Sequence, residues 1–256
     1  MALDPISTFL LKYAGKVIVK KAADALLTKK ESLMIRFKSN FTQIKNQDVR
    51  FSISYLIRIK IPGTSKFLLV RGHRIKDQLQ PVGGVYKKIN GFSEFEKWGY
   101  KEDCGAKGIK SDDISKDDLR FRVKGKYALD VIKWFESRKD RETTYDREFN
   151  EELIEDHGFD KDIFYSKSFR EVQKTMKVFG FSTFHQCYEV LIYDIVEFLP
   201  TPEQEVELKR LLKNPRKLGS DFMVVDISEI ERLLVIENEE QIAKIGEHTK
   251  YLINEK

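Results

Sequence analysis

The strongest constraint on the fold is an alternation of apolar and polar side chains along residues 49–61. Every second position is apolar: Val49, Phe51, Ile53, Tyr55, Ile57, Ile59 and Ile61. The positions between them are mostly polar. Because successive side chains of a strand point to opposite faces, the pattern predicts a long, half-buried strand. The turn-forming residues 62–65 then lead into a second predicted strand at 66–71.

Residues 145–158 have the pattern of a helix with an acidic face. Glu148, Glu151, Glu152 and Glu155 are spaced i, i+3, i+4 and i+7, which places them on one stripe of a helix. Tyr145, Phe149 and Leu153 form an adjacent apolar stripe that would anchor the helix in a core. Thr143 and Asp146 have capping-box spacing, and Gly158 is a predicted stop. Such an acidic face is either solvated or neutralised by cations.

A glycine turn and several further elements are also predicted. Gly83 and Gly84 permit close approach of the backbone to a phosphate, a metal or a neighbouring strand. Residues 129–135 predict a helix, 182–199 contain a long strand, and 222–227 predict another strand. Thr201, followed by Pro202, marks a helix start, and Asn238 is expected to open a terminal helix.

The order of residues around the acidic face resembles a known motif. Arg147-Glu148-Phe149-Asn150-Glu151-Glu152 is similar to the Arg-Glu-aliphatic-x-Glu-Glu core of the Nudix box, and residues 80–86 resemble its Pro-Gly-Gly segment. Arg147 follows Gly84 by 63 residues, so an insertion at about residues 88–138 splits the box. The first box glutamate is missing or displaced, to Asp140 or Glu142.

The chain from about residue 35 to its end resembles one subfamily, the SMODS-associated NUDIX domains. The residues that carry the resemblance are those of the first two strands, the glycine turn, Lys116-Asp117-Asp118-Leu119-Arg120, Trp134-Phe135, the acidic helix and Ile245-Gly246-Glu247-His248-Thr249. Members accompany CD-NTase enzymes in bacterial cyclic-oligonucleotide anti-phage operons. The resemblance implies an α/β fold, a Nudix-type α/β/α sandwich with a mixed sheet. The insertion within the box is expected to form a wall or lid beside the site.

The Nudix resemblance also implies roles for individual residues. Mg²⁺ or Mn²⁺ would be bound by Glu148, Glu151, Glu152 and the Gly84 carbonyl, since hard cations prefer oxygen ligands. Glu189 and Glu197 are additional strand-borne candidates. Glu151 or Glu148 would act as the general base, and Arg147 would orient the carboxylates. Gly83, Tyr86 and Arg71 are the expected substrate contacts. Tyr86 or Tyr55 could stack on a base, although aromatic side chains on strands more often belong to a core.

Composition limits the partners and the domain organisation. The 256 residues include 46 basic and 41 acidic side chains, a net charge of +5. This balance fits a nucleotide-type anionic ligand, and the interleaving of charges argues against duplex DNA. Residues 36–256 are expected to form one Nudix-like domain. Residues 1–35 are expected to form a basic amphipathic helical segment that contacts a membrane surface or mediates self-association, including a homodimer.

Cysteine usage and hydropathy point to a cytoplasmic protein. Cys104 and Cys187 lack zinc-site or disulfide-framework spacing. No apolar run approaches the length of a membrane span, although residues 5–30 leave peripheral membrane association open.

Three functions are compatible with these features. The first is a metal-dependent Nudix hydrolase that cleaves a phosphoanhydride of a nucleoside diphosphate linked to another moiety, acting as a defence effector. The alternative is a non-catalytic sensor that binds a cyclic oligonucleotide from a CD-NTase, or another nucleotide, and signals through its N-terminal helix. An interaction protein with a vestigial site ranks last.

Overall fold

A computed structural model describes residues 34–36, 43–72, 75, 77–89, 94–103 and 117–253. The predicted N-terminal helical segment therefore lies almost entirely outside the described residues. In the described part of the chain, no helix is both long enough and apolar enough to cross a membrane.

Within the described residues, ten strands form two five-stranded sheets. In chain order they are β1 Asp48–Arg58, β2 Phe67–Arg71, β3 Gln78–Gln80, β4 Lys101–Glu102, β5 Arg120–Lys124, β6 Phe169–Ser182, β7 Cys187–Phe198, β8 Phe222–Val225, β9 Leu234–Glu237 and β10 Glu240–Ile245. Sheet A has the order β4-β5-β1-β7-β6, and sheet B has the order β8-β2-β3-β10-β9. Both sheets are mixed, because β1 pairs with β7 in parallel, and β10 pairs with β3 in parallel.

Helices cover the sheets and connect the strands. They are α1 Glu94–Lys97, α2 Ala128–Ser137, α3 Asp146–Phe149, α4 Pro202–Arg210 and α5 Ile227–Arg232. A π-helical turn at Asn150–Glu155 continues α3, and 3₁₀ turns lie at Gln43–Asn46, Gly125–Tyr127, Leu211–Lys213 and Glu247–Leu252.

Strand β1 lies at the centre of sheet A and is buried on both faces. The predicted strand is confirmed, but the expectation that it is half-buried was wrong. One face packs in the same core cluster as α2 and α3, and Leu56 on the other face packs with residues of sheet B. Arg50 is buried because it forms ion pairs with Asp103 at 2.7 Å and Glu189 at 3.1 Å. Sequence alternation identifies a strand, but an ion-paired arginine can lie on a buried face.

The insertion builds part of the sheet and the core. Its strand β5 pairs with β1 in antiparallel register, with Val49 opposite Val123. Phe121 on β5 is fully buried and stacks on Phe51 of β1 at 5.6 Å. In its described residues, the insertion therefore contributes to the body of the domain and is more than a wall or lid.

Of the two helix starts predicted in the C-terminal part of the chain, the one at Thr201 is confirmed and the one at Asn238 was wrong. The capping box at Thr201, with Pro202 at the first helical position, is present. The predicted helix at Asn238 is a two-residue turn between β9 and β10, in which Asn238 and Glu239 have φ values of 50° and 67°. The hairpin forms in place of the predicted helix because strand pairing buries Val235 of β9 and Ile242, Ala243 and Ile245 of β10 in the core.

Candidate active site

Helix α3 is positioned by the packing of its first residues. Tyr145 is the N-cap residue, and no side chain caps the helix, so the predicted capping box of Thr143 and Asp146 was wrong. The ring of Tyr145 packs edge-on against Tyr55 and Phe169, which fixes the start of the helix from the core. The predicted stop is confirmed, because Gly158 has φ +68° immediately after the turn that follows Glu155.

The change from α-helix to π-helix divides the acidic stripe. In the π-helical turn, the N–H of Asp156 donates to the carbonyl of Glu151 at 3.0 Å, an i→i+5 bond. This wider turn brings residues four apart closer to alignment than in an α-helix. Glu148 and Glu152 consequently face the glycine turn, whereas the side chain of Glu151 is 48% exposed and Glu155 is exposed. The predicted single stripe of four glutamates was therefore wrong.

Both glycines of the turn make room for this acidic segment. A Cβ at Gly84 would overlap the carboxylate of Glu148, and a Cβ at Gly83 would overlap the carbonyl of Tyr55. The N–H of Gly83, whose φ is +146°, donates to Glu152 Oε2 at 2.8 Å. The carbonyl of Gly84 accepts a hydrogen bond from the N–H of Tyr55 at 2.9 Å, which leaves one lone pair for another partner.

Arg147 links three carboxylates to the end of the glycine turn. Its Nη1 donates to Glu148 at 2.6 Å and to Glu151 at 3.2 Å. Its Nε donates to Glu142 Oε1 at 3.0 Å, and its Nη2 donates to the carbonyl of Val85 at 2.9 Å. This guanidinium therefore holds Glu142, Glu148 and Glu151 by charge-assisted hydrogen bonds.

Glu142, one of the two candidates for the displaced box glutamate, lies between Arg147 and the glycine turn. Besides the bonds from Arg147, its Oε2 accepts the N–H of Lys87 at 3.1 Å. Of the two candidates, Glu142 rather than Asp140 contacts Arg147. Gln80 is a site residue that sequence reasoning missed: its amide lies 3.5 Å from Glu152 Oε1. The sequence could have indicated Gln80 as a site residue by its position directly before Pro81, within the glycine-turn motif.

Burial raises the pKa of the carboxyl groups that lie against the glycine turn. Burial raises the pKa of Glu152 to about 8, although the hydrogen bond from Gly83 opposes the shift. Burial also raises the pKa of Glu148, with Arg147 opposing and Glu151 adding to the effect. Burial alone would lower the pKa of Arg147, but Glu142 and Glu148 outweigh it and raise that pKa. The single positive charge of Arg147 is too small to neutralise the carboxylates of Glu142, Glu148, Glu151 and Glu152.

The donor set fits a hard divalent cation by its chemistry. Glu148, Glu151 and Glu152 all offer carboxylate oxygens, the preferred ligands of Mg²⁺. In the described part of the chain, no three acidic, histidine or cysteine side chains already converge on one point. The reason is visible: Glu148 and Glu151 are turned to Arg147, and Glu152 is turned to Gly83. Metal binding would require rotations of these side chains.

The expected substrate contacts of Tyr86 and Arg71 find no support. Tyr86 is fully buried, and its hydroxyl donates to Asp194 at 2.7 Å, so its ring has no face for a base. The alternative, a core residue, holds for Tyr86 and for the equally buried Tyr55. Arg71 donates to the carbonyl of Ser220 and to Asp77, both at 3.0 Å. The burial of Tyr86 and these two bonds of Arg71 stabilise the fold.

The strand-borne candidates are engaged elsewhere. Glu189 accepts a hydrogen bond from Arg50, and Glu197 forms an ion pair with Arg170. We therefore assign neither carboxylate to the group around Gly83 and Gly84.

Comparison with known proteins gives one positive finding. The family model of the SMODS-associated NUDIX domain matches residues 48–253, a range that contains both sheets, the glycine turn and the acidic segment. No curated protein and no solved structure matches the chain.

Proposed function

The chain belongs to the family of SMODS-associated NUDIX domains, and from this premise we propose that it is a divalent-metal-dependent Nudix hydrolase. Its substrate would be a nucleoside diphosphate linked to another moiety, cleaved at the phosphoanhydride. Its biological role would be that of an effector in bacterial anti-phage defence based on cyclic oligonucleotides. The mixed α/β fold of the chain is the Nudix fold.

One observation carries this proposal: the carboxylates of a single helical segment lie against the glycine turn. Glu148 is in contact with the space left by Gly84, and Glu152 accepts the N–H of Gly83. Had these side chains pointed into solvent, away from the glycines, the chain would have had the fold without a place for the chemistry.

Glu148, Glu151 and Glu152 would hold Mg²⁺ or Mn²⁺, with the remaining lone pair of the Gly84 carbonyl as a further ligand. A bound divalent cation supplies neutralisation of the diphosphate and a water of lowered pKa. Glu151 is our choice for the general base, because it is the most exposed of the three and is linked to Arg147 by a single 3.2 Å contact. Glu148, which Arg147 holds at 2.6 Å, is the alternative.

Hydrolysis of a nucleotide panel with Mg²⁺ or Mn²⁺ tests the proposal. The panel should contain ADP-ribose, NAD, dinucleoside polyphosphates and nucleoside triphosphates. We expect Glu151→Gln and Glu148→Gln to lower kcat by about 100-fold or more, the usual contribution of a general base. Glu155→Gln is the matched control, since Glu155 lies on the same segment but is exposed. An inert panel, together with unchanged Mn²⁺ binding by Glu151→Gln and Glu152→Gln, would refute the proposal.

The sensor function is the second candidate, and the arrangement of the ligands favours it. No three of the described acidic side chains converge on one point, and burial raises the pKa of Glu152, which opposes the charged form that a metal ligand needs. A sensor would bind cyclic di- or trinucleotides without consuming them. Calorimetry with these ligands, run beside the hydrolysis panel, separates the two functions. Binding without turnover supports the sensor, and turnover of a linear diphosphate supports the enzyme.

A further inference from the structure

Helix α3, all of which lies in the described part of the chain, begins without a hydrogen bond to the side chain of its N-cap residue, Tyr145. The first four N–H groups of a helix have no partner within the helix, and an N-cap side chain ordinarily accepts the N–H of the second or third residue. The third residue of α3 is Glu148. The backbone of a carboxylate of the acidic site therefore depends on an acceptor from elsewhere in the fold.

The hydroxyl of Tyr55 supplies this acceptor from β1. The amide nitrogen of Glu148 lies 3.4 Å from the hydroxyl oxygen of Tyr55, although the two residues are 93 positions apart in the chain. Tyr55 is fully buried, and its ring packs edge-on against the ring of Tyr145, with centroids 5.3 Å apart. A single side chain of the central strand thus contacts both the residue before the helix and the first turn of the helix.

The backbone of Tyr55 holds the glycine turn. Its N–H donates to the carbonyl of Gly84 at 2.9 Å. Its carbonyl lies against Gly83, where an added Cβ would overlap the carbonyl oxygen. Tyr55 therefore contacts both parts of the acidic site, because its backbone fixes the Gly84 carbonyl and its hydroxyl accepts the N–H of Glu148.

A phenol suits this position because it stays uncharged. Burial raises the pKa of Tyr55, and the neighbouring carboxylates of Glu142 and Glu148 raise it further. Aspartate is a common capping residue, but it would add a negative charge beside these carboxylates, and neighbouring like charges disfavour ionisation. The hydroxyl of Tyr55 accepts the N–H of Glu148 without adding a charge.

We propose that Tyr55 is a positioning residue of the acidic site, whose hydroxyl holds the backbone of Glu148 beside the carbonyl of Gly84. The inference rests on the proposed function, because these two residues are among the proposed ligands of the cation. Tyr55 itself is fully buried and acts through them. Its role differs from the base stacking that the sequence suggested for it, because the ring belongs to the core and the hydroxyl serves the site.

Tyr55→Phe tests the proposal, because it removes the hydroxyl and keeps the ring. Hydrogen exchange of the Glu148 amide, followed by NMR in the metal-free protein, should become about 2- to 10-fold faster, which corresponds to the loss of one net hydrogen bond. Calorimetry should show that the affinity for Mn²⁺ is weakened by a similar factor. In the hydrolysis assay kcat should fall and KM should stay unchanged, since a buried residue contacts no substrate.

Tyr86→Phe is the matched control. Tyr86 is as fully buried as Tyr55, and the centroids of the two rings are 4.9 Å apart. Its hydroxyl donates to Asp194 on β7 at 2.7 Å. The control variant should lower the melting temperature but leave the exchange of the Glu148 amide and the affinity for Mn²⁺ at their wild-type values.

Unchanged exchange of the Glu148 amide in Tyr55→Phe overturns the inference. Faster exchange with unchanged Mn²⁺ affinity overturns it as well, because the hydrogen bond then does not position Glu148 for the cation. A lower melting temperature without either change would show that the hydroxyl serves only the packing of the core.

The exchange measurement separates this inference from the proposed function, because it needs neither metal nor substrate. If wild type neither binds Mn²⁺ nor hydrolyses any nucleotide, the proposed function fails, while faster exchange in Tyr55→Phe still supports the role of Tyr55 at Glu148. If wild type hydrolyses a nucleotide and Tyr55→Phe matches it in exchange, Mn²⁺ affinity and kcat, only the inference about Tyr55 fails.

Discussion

Glu152 lies where a carboxylate is costly, because burial outweighs its one short hydrogen bond from Gly83. Its pKa is about 8 in the folded protein, against an ordinary value of 4.5. With respect to Glu152, the folded state is therefore most stable below pH 4.5, where the carboxyl is protonated, and this stability is lost as the pH rises towards 8. We expect the metal-free protein to lose on the order of a few kcal/mol of unfolding free energy over this window, since one pKa unit is about 1.4 kcal/mol.

Urea unfolding at a series of pH values measures this effect. In Glu152→Gln the loss should largely disappear, because the amide keeps the shape and the acceptor for Gly83 but does not ionise. Mg²⁺ should raise the melting temperature of wild type at pH 8 and have a smaller effect on the variant. Glu155→Gln, exposed on the same segment, should behave as wild type. A wild-type profile that is flat between pH 5 and 8 would contradict the buried position of Glu152.

The guanidinium of Arg147 contacts three carboxylates and the carbonyl of Val85 at once. A lysine has one ammonium group and lacks the planar geometry for these bonds. We expect Arg147→Lys to lower the free energy of unfolding by about 1–3 kcal/mol and hydrolysis by about tenfold or more. Arg210→Lys is the control, since Arg210 pairs with Glu207 on an exposed helix face. Equal activity of Arg147→Lys and wild type would show that the carboxylates need no orientation.

At the scale of elements, the periodicity of apolar residues could predict those strands and helices that depend on the local sequence pattern alone. The strand at residues 49–61, the helix that contains Trp134 and the helix that begins after Thr201 all appear close to their expected positions. The π-helical turn could not be predicted, because a single i→i+5 turn inside a helix is too short to leave a distinct apolar period in the sequence. The orientation of Glu151 followed from that change. The turn at Asn238 was also missed, because a helix start and a tight turn favour similar residues.

The turn between β9 and β10 yields a stability prediction. Glu239 has φ +67°, a conformation that is strained for a residue with a Cβ and free for glycine. We expect Glu239→Gly to raise the unfolding free energy by about 0.5–1 kcal/mol, measured by urea denaturation. Glu231→Gly, at an exposed position of α5, should lower it by about 1 kcal/mol. Destabilisation by both substitutions would argue for a helix at this position.

At the scale of the whole molecule, the split of the box explains what the sequence could and could not reveal about the site. Arg147, Glu148 and Glu152 keep their local order, so their grouping with the glycine turn was predictable. The carboxylate partner of Arg147 upstream of the helix was predicted only as one of two alternatives, Asp140 or Glu142, because neither stands at the spacing of the box. Glu142 lies five residues before Arg147, and its additional hydrogen bond from the N–H of Lys87 comes from the far side of the insertion.

The insertion and the rest of the domain should unfold together, because they share one core. Phe121 of the insertion is fully buried against Phe51, and its strand pairs with β1 over Asp48–Ser52. Phe121→Ala should therefore cost about 3–5 kcal/mol, the usual penalty for a buried phenylalanine. Calorimetry and urea denaturation should show a single transition of lower stability with an unchanged denaturant slope. Phe184→Ala, at a side chain that is 72% exposed, should change stability by less than about 0.5 kcal/mol. A separate early transition in Phe121→Ala, with the main transition unchanged, would instead identify the insertion as an independent lid.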